Sequence, residues 1–139
     1  MDENACIIFD IDGTLIDTRE SYNKTIKKTV QFLVKYIDKS KASLGNMVSD
    51  ELIFKFRKSG MFNNDIDTSY AFVQSILCGP PKKSDLLLFI DNIAEDASSK
   101  GIISVEKYLK DYSQRRLGQI KKLLRYPGSV KTSIISRVF

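Results

Sequence analysis

Apolar residues recur at helical spacing through most of the chain, beginning at about Thr18. In the first such stretch, lysines fill the positions between the apolar ones, so the pattern predicts an amphipathic helix with one buried face. Asp17, followed three positions later by Glu20, is typical of an N-terminal cap. The apolar positions are Tyr22, Ile26, Val30, Leu33, Val34 and Ile37.

The same periodicity predicts four further helices, separated by a polar linker over 39–46 and by breaks at Gly60 and at 79–81. In the third helix, Ile66, Tyr70, Val73 and Leu77 lie on one face. Residues 129–139 carry no clear pattern. The predicted spans are Ser49–Ser59, a helix that follows the turn at 63–65, Ser84 or Asp85 to Gly101, and Ser104 to Leu124.

One short segment reads differently from the helices. Ala5–Phe9 is an unbroken apolar run, which predicts a strand buried on both faces, and the segment 10–17 predicts a loop. A buried strand needs neighbours to pair its backbone N–H and C=O groups. The sequence shows no second strand, so we expect the sheet partners to lie outside this chain.

The composition of the chain excludes several kinds of catalytic and metal site. The 139 residues include no histidine and two cysteines without metal-ligand spacing, which excludes His-based zinc sites and Ser–His–Asp triads. The sequence contains no membrane-spanning apolar run and no secretory signal, so we expect a cytoplasmic protein without a membrane partner. A net charge of +5 favours anionic partners, but the lysines are scattered, so solvated helix faces are favoured over a nucleic-acid patch.

The segment 9–18 is the most specific feature of the sequence. Asp10 and Asp12 leave the end of the predicted strand on the same side, where ligands of open α/β sheets bind. Two close carboxylates favour a divalent cation or a shared proton. Gly13 permits a tight turn, and Thr14 offers a hydroxyl to an anion.

The run Asp-Ile-Asp-Gly-Thr-Leu-Ile-Asp at 10–17 resembles the first motif of the haloacid dehalogenase-like (HAD) hydrolase superfamily, in its helical-cap branch with phosphoglycolate phosphatases and β-phosphoglucomutases. The resemblance implies an α/β fold with a Rossmann-like core. It also implies that Asp10 is the nucleophile, Asp12 the general acid and base, and Gly13 and Thr14 phosphate ligands. Mg²⁺ would be held by the Asp10 carboxylate and the Asp12 backbone carbonyl.

This resemblance gives the chain an expected organisation. Residues 1–18 would be the first strand and catalytic loop of the core, 19–126 a helical cap of about five helices, and 127–139 an incomplete return toward the core. The chain would therefore be mostly α-helical, with one core strand.

The later motifs of the superfamily are not found. They comprise a Ser or Thr, a Lys and a late acidic pair, and only Thr132, Ser133 and Ser136 are candidates for the hydroxyl. We therefore expect the chain to be the N-terminal part of a larger protein and inactive alone. Such a fragment would form homo-oligomers through its uncovered core-facing surface.

A second segment, 60–67, resembles the Phe-Asn-Asn-Asp pattern of one helically capped subgroup. The resemblance implies that Asn63, Asn64 and Asp65 bind substrate, with Arg57 holding a second anionic group. The alternative is a turn in which Asp65 or Asp67 is the N-cap of the third helix, and the two interpretations are compatible.

The leading hypothesis is a magnesium-dependent phosphatase that hydrolyses a small phosphorylated metabolite through an aspartyl phosphate. A phosphomutase is the close alternative, because the same two aspartates serve both reactions. A basic helical binding module without catalytic activity is the alternative from another class, and it follows from the missing motifs and the positive charge.

Overall fold

The computed structural model of the chain describes Ile8 and residues 17–96, 100–126 and 133–139. Its described part is a helical bundle, with two short 3-10 helices at Lys39–Lys41 and Leu44–Met47. The bundle contains the five predicted helices and a short sixth. The α-helices are α1 (Arg19–Ile37), α2 (Asp50–Lys58), α3 (Asp65–Cys78), α4 (Lys83–Asp96), α5 (Ile102–Leu124) and α6 (Ile134–Val138).

The first helix buries the face that its periodicity predicts, at Ile26, Val30, Leu33 and Val34. Its N-terminus differs from the expected capping box, because Thr18 is the N-cap and makes no side-chain cap bond. Asp17 instead accepts hydrogen bonds from the backbone N–H (3.1 Å) and guanidinium (2.9 and 2.7 Å) of Arg19. These bonds lower the pKa of the exposed Asp17 carboxyl to about 2.

The third helix lies at the centre of the bundle. The face predicted at Tyr70, Val73 and Leu77 is buried, and burial extends to every residue from Thr68 to Cys78. Helices α1 and α5 pack along α3 most extensively, and α4 and α6 cover further parts of it. Since α3 is enclosed, its short polar side chains need partners inside the helix, and the Thr68, Ser69 and Ser75 hydroxyls bond to backbone carbonyls four residues earlier.

The predicted polar linker at 39–46 is structured. Leu44, Gly45 and Met47 are buried where the second 3-10 helix packs on α1. A Cβ at Gly45 would lie 3.1 Å from the Cα of Gln31, so a glycine allows this close approach. The loop is therefore fixed against the C-terminal half of α1.

The predicted strand at 5–9 falls outside the described residues except for Ile8, and there the prediction was wrong. Ile8 is not in a strand and is 89% exposed. The described residues form no strand whose backbone could pair with that of Ile8. The α/β core implied by the resemblance is thus not seen in this part of the chain.

The short helix α6, Ile134–Val138, forms where the sequence predicted no element. The Ser133 hydroxyl accepts from the Ser136 backbone N–H at 3.4 Å and caps α6. Ile135 is fully buried, and α6 packs against α1, α3 and α5. Within the described ranges, no helix combines the length and apolar character needed to cross a membrane.

Candidate functional site

The first-motif residues Asp10, Asp12, Gly13 and Thr14 lie outside the described residues. Continuous description begins at Asp17, five positions beyond Asp12 in sequence. The first turns of α1 directly follow the motif in the chain, and the groups that surround these turns define the candidate site.

Arg57, near the end of α2, is the centre of this region. One terminal guanidinium nitrogen donates to the Asn23 side-chain oxygen in α1 at 2.8 Å, and the other donates to the Asp65 carboxylate in α3 at 2.6 Å. The Arg57–Asp65 pair is partly buried, with side chains 26% and 18% exposed. Arg57 therefore joins three helices, and the planar guanidinium suits this role because it donates in two fixed directions.

Asp50 extends the network on the side of α1. Its carboxylate accepts from the Lys27 ammonium at 2.6 Å and from the Asn23 amide at 2.7 Å. Hydrogen bonds from Lys27 and then Asn23 hold the pKa of Asp50 below its usual range. The position also suits a carboxylate because Asp50 opens α2, where the helix dipole favours negative charge.

A cavity of about 530 Å³ lies beside this network. Among the described residues that line it, three are cationic and one is acidic; two of the cations are paired, Arg19 with Asp17 and Arg57 with Asp65. Phe54 adds an apolar wall and is 64% exposed. The lining residues are Arg19, Asn23, Asp50, Phe54, Arg57 and Lys58.

The two asparagines of the Phe-Asn-Asn-Asp segment have local partners. The Asn63 amide donates to the Gly60 carbonyl at 3.1 Å, and the Asn64 side chain accepts from the Ile66 backbone N–H at 2.9 Å. Asn64 is therefore the N-cap of α3, whereas the sequence suggested Asp65 or Asp67. The structure brings Asp65 and Arg57 together and gives both asparagines a role in the turn.

Asp67 takes part in a second cluster, which joins the first turn of α3 to the segment that follows α5. Its carboxylate accepts a short hydrogen bond from the Tyr126 hydroxyl, just beyond α5. The Tyr70 hydroxyl lies 3.2 Å from both the Tyr126 carbonyl and a Glu106 carboxylate oxygen, and Lys121 pairs with Glu106 at 2.5 Å. Burial first, and then the bond to Asp67, raises the pKa of Tyr126.

The first turn of α3 is therefore connected both to α1, at the beginning of the bundle, and to the segment after α5, near its end. Asp65 reaches the start of α1 through Arg57 and Asn23, and Asp67 reaches Tyr126. Sequence reasoning missed Asn23, Asp50 and Tyr126 as members of these networks. Each is an ordinary polar or aromatic residue at its position, and no local pattern marks its long-range partner.

The metal ligands that the sequence predicts lie in the motif at 10–12. The described residues contain no group of three Asp, Glu, Cys or His side chains that could hold a metal ion. The two motif carboxylates, Asp10 and Asp12, are hard oxygen donors of the type that Mg²⁺ prefers. By donor chemistry the motif fits magnesium.

Comparison with known proteins agrees with the motif. Neither curated proteins nor solved structures gave a significant match. The sequence model of the haloacid dehalogenase-like hydrolase family matches residues 7–121, which include the Asp10–Asp12 motif, helices α1 to α4 and most of α5. Because this match covers most of the chain, the protein belongs to the haloacid dehalogenase-like hydrolase family.

Proposed function

We propose that this chain carries the nucleophile and the cap of a magnesium-dependent phosphatase that acts on a small phosphorylated metabolite. The observation that carries the proposal is the pair Asp10 and Asp12, followed by Gly13 and Thr14, inside the matched region of a hydrolase family. An Asp at the second position favours phosphoryl transfer over dehalogenation, because it can protonate a leaving oxygen.

The reaction proceeds in two steps. An Asp10 carboxylate oxygen attacks phosphorus while Asp12 gives its proton to the leaving oxygen, which produces an alcohol and an aspartyl phosphate. Asp12 then removes a proton from water, the water oxygen attacks phosphorus, and the P–O bond to Asp10 breaks. Inorganic phosphate leaves, and both carboxyl groups return to their starting states.

The Asp10 carboxylate and the Asp12 backbone carbonyl would hold Mg²⁺, which when bound neutralises charge on the phosphate. The Gly13 backbone and the Thr14 hydroxyl would hold phosphate oxygens. These assignments stand on residue type and on position in the motif.

In this proposal residues 19–126 form the cap and residues 1–18 contribute to the catalytic core. The cavity beside Arg57 supports a substrate-facing role for this end of the bundle. Part of its lining comes from α1, which follows the motif in the chain, and three of its lining residues are cationic. Within it, Arg57 would attract a second anionic group. Asn63 and Asn64 would act indirectly, by shaping the turn that presents Asp65 to Arg57.

The Ser or Thr, the Lys and the acidic pair of later motifs have no assigned residues here, so we propose the activity for the chain together with residues that supply them. Among the described candidates, Ser133 is fully buried and caps α6, which is a structural role. Thr132 lies outside the described residues.

The proposal is tested on the protein purified from its source cells, at its native length. Phosphate release from a panel of phosphorylated metabolites should require Mg²⁺ and should vanish in Asp10→Asn, with the circular dichroism spectrum unchanged. Return of the phosphoryl group to substrate, with a bisphosphate intermediate, would assign a phosphomutase instead. Activity retained in Asp10→Asn, or none in wild type with salt-sensitive binding to nucleic acid, would overturn the catalytic assignment.

A further inference from the structure

The outer face of α1 carries two exposed aromatic rings, away from the candidate site. Phe32 is 53% exposed and Tyr36 is 64% exposed, although both lie on a helix whose opposite face is well buried. Their rings stack in near-parallel orientation, 9° apart in plane with centroids 6.0 Å apart. Tyr36 thus supports the Phe32 ring and restricts its orientation.

Phe32 lines a cavity of about 480 Å³ between α1 and the loop at 42–46. Ser43 and Asn46 are exposed and supply a hydroxyl and an amide from the loop. Gly45 holds the loop close to Gln31, so the second wall is fixed by packing. The volume is within the usual range for small-ligand sites, roughly 300–1,000 Å³.

The cavity is cationic. Its described lining includes the exposed Lys28 and Lys35 and no carboxylate. Neither lysine takes part in an ion pair among the described residues, whereas Lys27 on another side of α1 is paired with Asp50. Two unpaired ammonium groups beside an open ring face provide a place for a negative charge next to a planar group.

We propose that this cavity binds a nucleoside phosphate, with its base stacked on Phe32 and its phosphate held by Lys28 and Lys35. Ser43 and Asn46 provide hydrogen bonds to the sugar or base. A free nucleotide and a nucleotide within a short single strand both offer this base and phosphate. This site uses none of the groups assigned to phosphoryl transfer, so it does not depend on the proposed function.

The test is an NMR titration of the ¹⁵N-labelled full chain with AMP, with a short oligoadenylate and with pyrophosphate. AMP should shift amides at 28–36 and 42–46, and Phe32→Ala should weaken its binding on the order of tenfold. Lys28→Gln together with Lys35→Gln should weaken AMP binding and reduce its dependence on salt. Pyrophosphate, which has no base, should bind more weakly than AMP and be insensitive to Phe32→Ala.

Matched controls separate this site from the rest of the protein. Leu88→Ala removes another exposed apolar side chain and Lys122→Gln removes another exposed lysine; each should leave AMP binding unchanged. Tighter binding of the oligoadenylate than of AMP would identify a single strand as the occupant, and the reverse a free nucleotide. No shift at these amides with millimolar AMP, equal affinity of Phe32→Ala, or equal binding of an acidic peptide would overturn the proposal.

Discussion

The ammonium group of Lys41 lies 2.8 Å from the carbonyl oxygen of Gly79, just beyond the C-terminus of the buried helix α3. The same nitrogen donates to the carbonyls of Ile76 and Leu77 at 3.0 and 3.2 Å. The C-terminal end of a helix carries unsatisfied carbonyls and partial negative charge. A cation there donates hydrogen bonds to the carbonyls and is attracted by the charge. A residue of the connecting loop thereby caps the central helix of the bundle.

Replacing Lys41 should therefore destabilise the protein. Lys41→Met keeps most of the apolar stem but leaves three carbonyls without this donor, and we expect the free energy of unfolding to fall by about 1–3 kcal/mol. Urea unfolding followed by circular dichroism measures the change. Lys39→Met, which removes an exposed lysine from the same 3-10 helix, is the matched control and should change stability little. Equal effects of the two variants would contradict the capping role.

Gln74, within α3, offers a prediction of opposite sign. Its side chain is fully buried, and among the described residues neither its amide nitrogen nor its amide oxygen has a hydrogen-bond partner. Since a buried unpaired polar group costs about 1–3 kcal/mol, Gln74→Met should raise the free energy of unfolding by a similar amount. The exposed Gln119→Met should be near neutral. A loss of stability in Gln74→Met would show that the amide has a stabilising partner.

Asp38 predicts a dependence of stability on pH. Hydrogen bonds from the Ser40 hydroxyl (2.6 Å) and backbone N–H (3.1 Å), and then the charge of Arg116 (2.8 Å), hold the pKa of Asp38 below its usual range. A lowered carboxyl pKa stabilises the fold above the unfolded value of about 4, and this stabilisation is lost as the pH falls through the folded value.

Asp38→Asn should therefore be less stable than wild type at neutral pH, and the difference should shrink on acidification below about pH 4. Urea midpoints measured across this range give the two curves. Asp111→Asn, an exposed carboxylate variant in α5, should follow wild type throughout. A constant difference between Asp38→Asn and wild type would show that the carboxylate charge is not the cause.

Arg57→Lys tests the bridge between three helices. Lysine keeps the charge but cannot donate to Asn23 and Asp65 in two fixed directions, so we expect a loss of about 1–2 kcal/mol in unfolding free energy. Thermal or urea unfolding measures it. The exposed Arg115→Lys is the conservative control. If Arg57→Lys in an Asp65→Asn background costs as much as in wild type, the pair is not coupled and the bridge is wrong.

Helix positions in this protein were largely predictable from sequence, and so was the buried face of α1, but the full enclosure of α3 was not. The Ser49 cap and the Gly60 break marked α2 because capping and left-handed backbone are local properties, and Gly60 has φ +74°. The sequence does not predict the enclosure of α3, because Thr68, Ser69 and Ser75 are polar residues. They tolerate burial since their hydroxyls bond to backbone within the helix.

The motif and the contacts around Arg57 and Asp67 also differ in how far they could be predicted from the sequence. Asp10 and Asp12 were recognisable because their spacing encodes the site locally. The partners of Arg57 and Asp67 were not, because Asn23 and Tyr126 lie far away in sequence and meet them only through packing of α1, α3 and α5. The ion pair between Arg116 and Asp38 is a further contact of this kind, because its two residues are also distant in sequence.

The measurement that tests the central claim most directly is mass spectrometry of the natively purified protein, acid-quenched during turnover of a phosphorylated metabolite or a reactive acyl phosphate. The account predicts a phosphoryl group on the peptide that contains Asp10, which disappears with hydroxylamine and is absent in Asp10→Asn. Turnover with no phosphoryl group on that peptide, or an adduct that persists in Asp10→Asn, would contradict the assignment of Asp10 as the nucleophile.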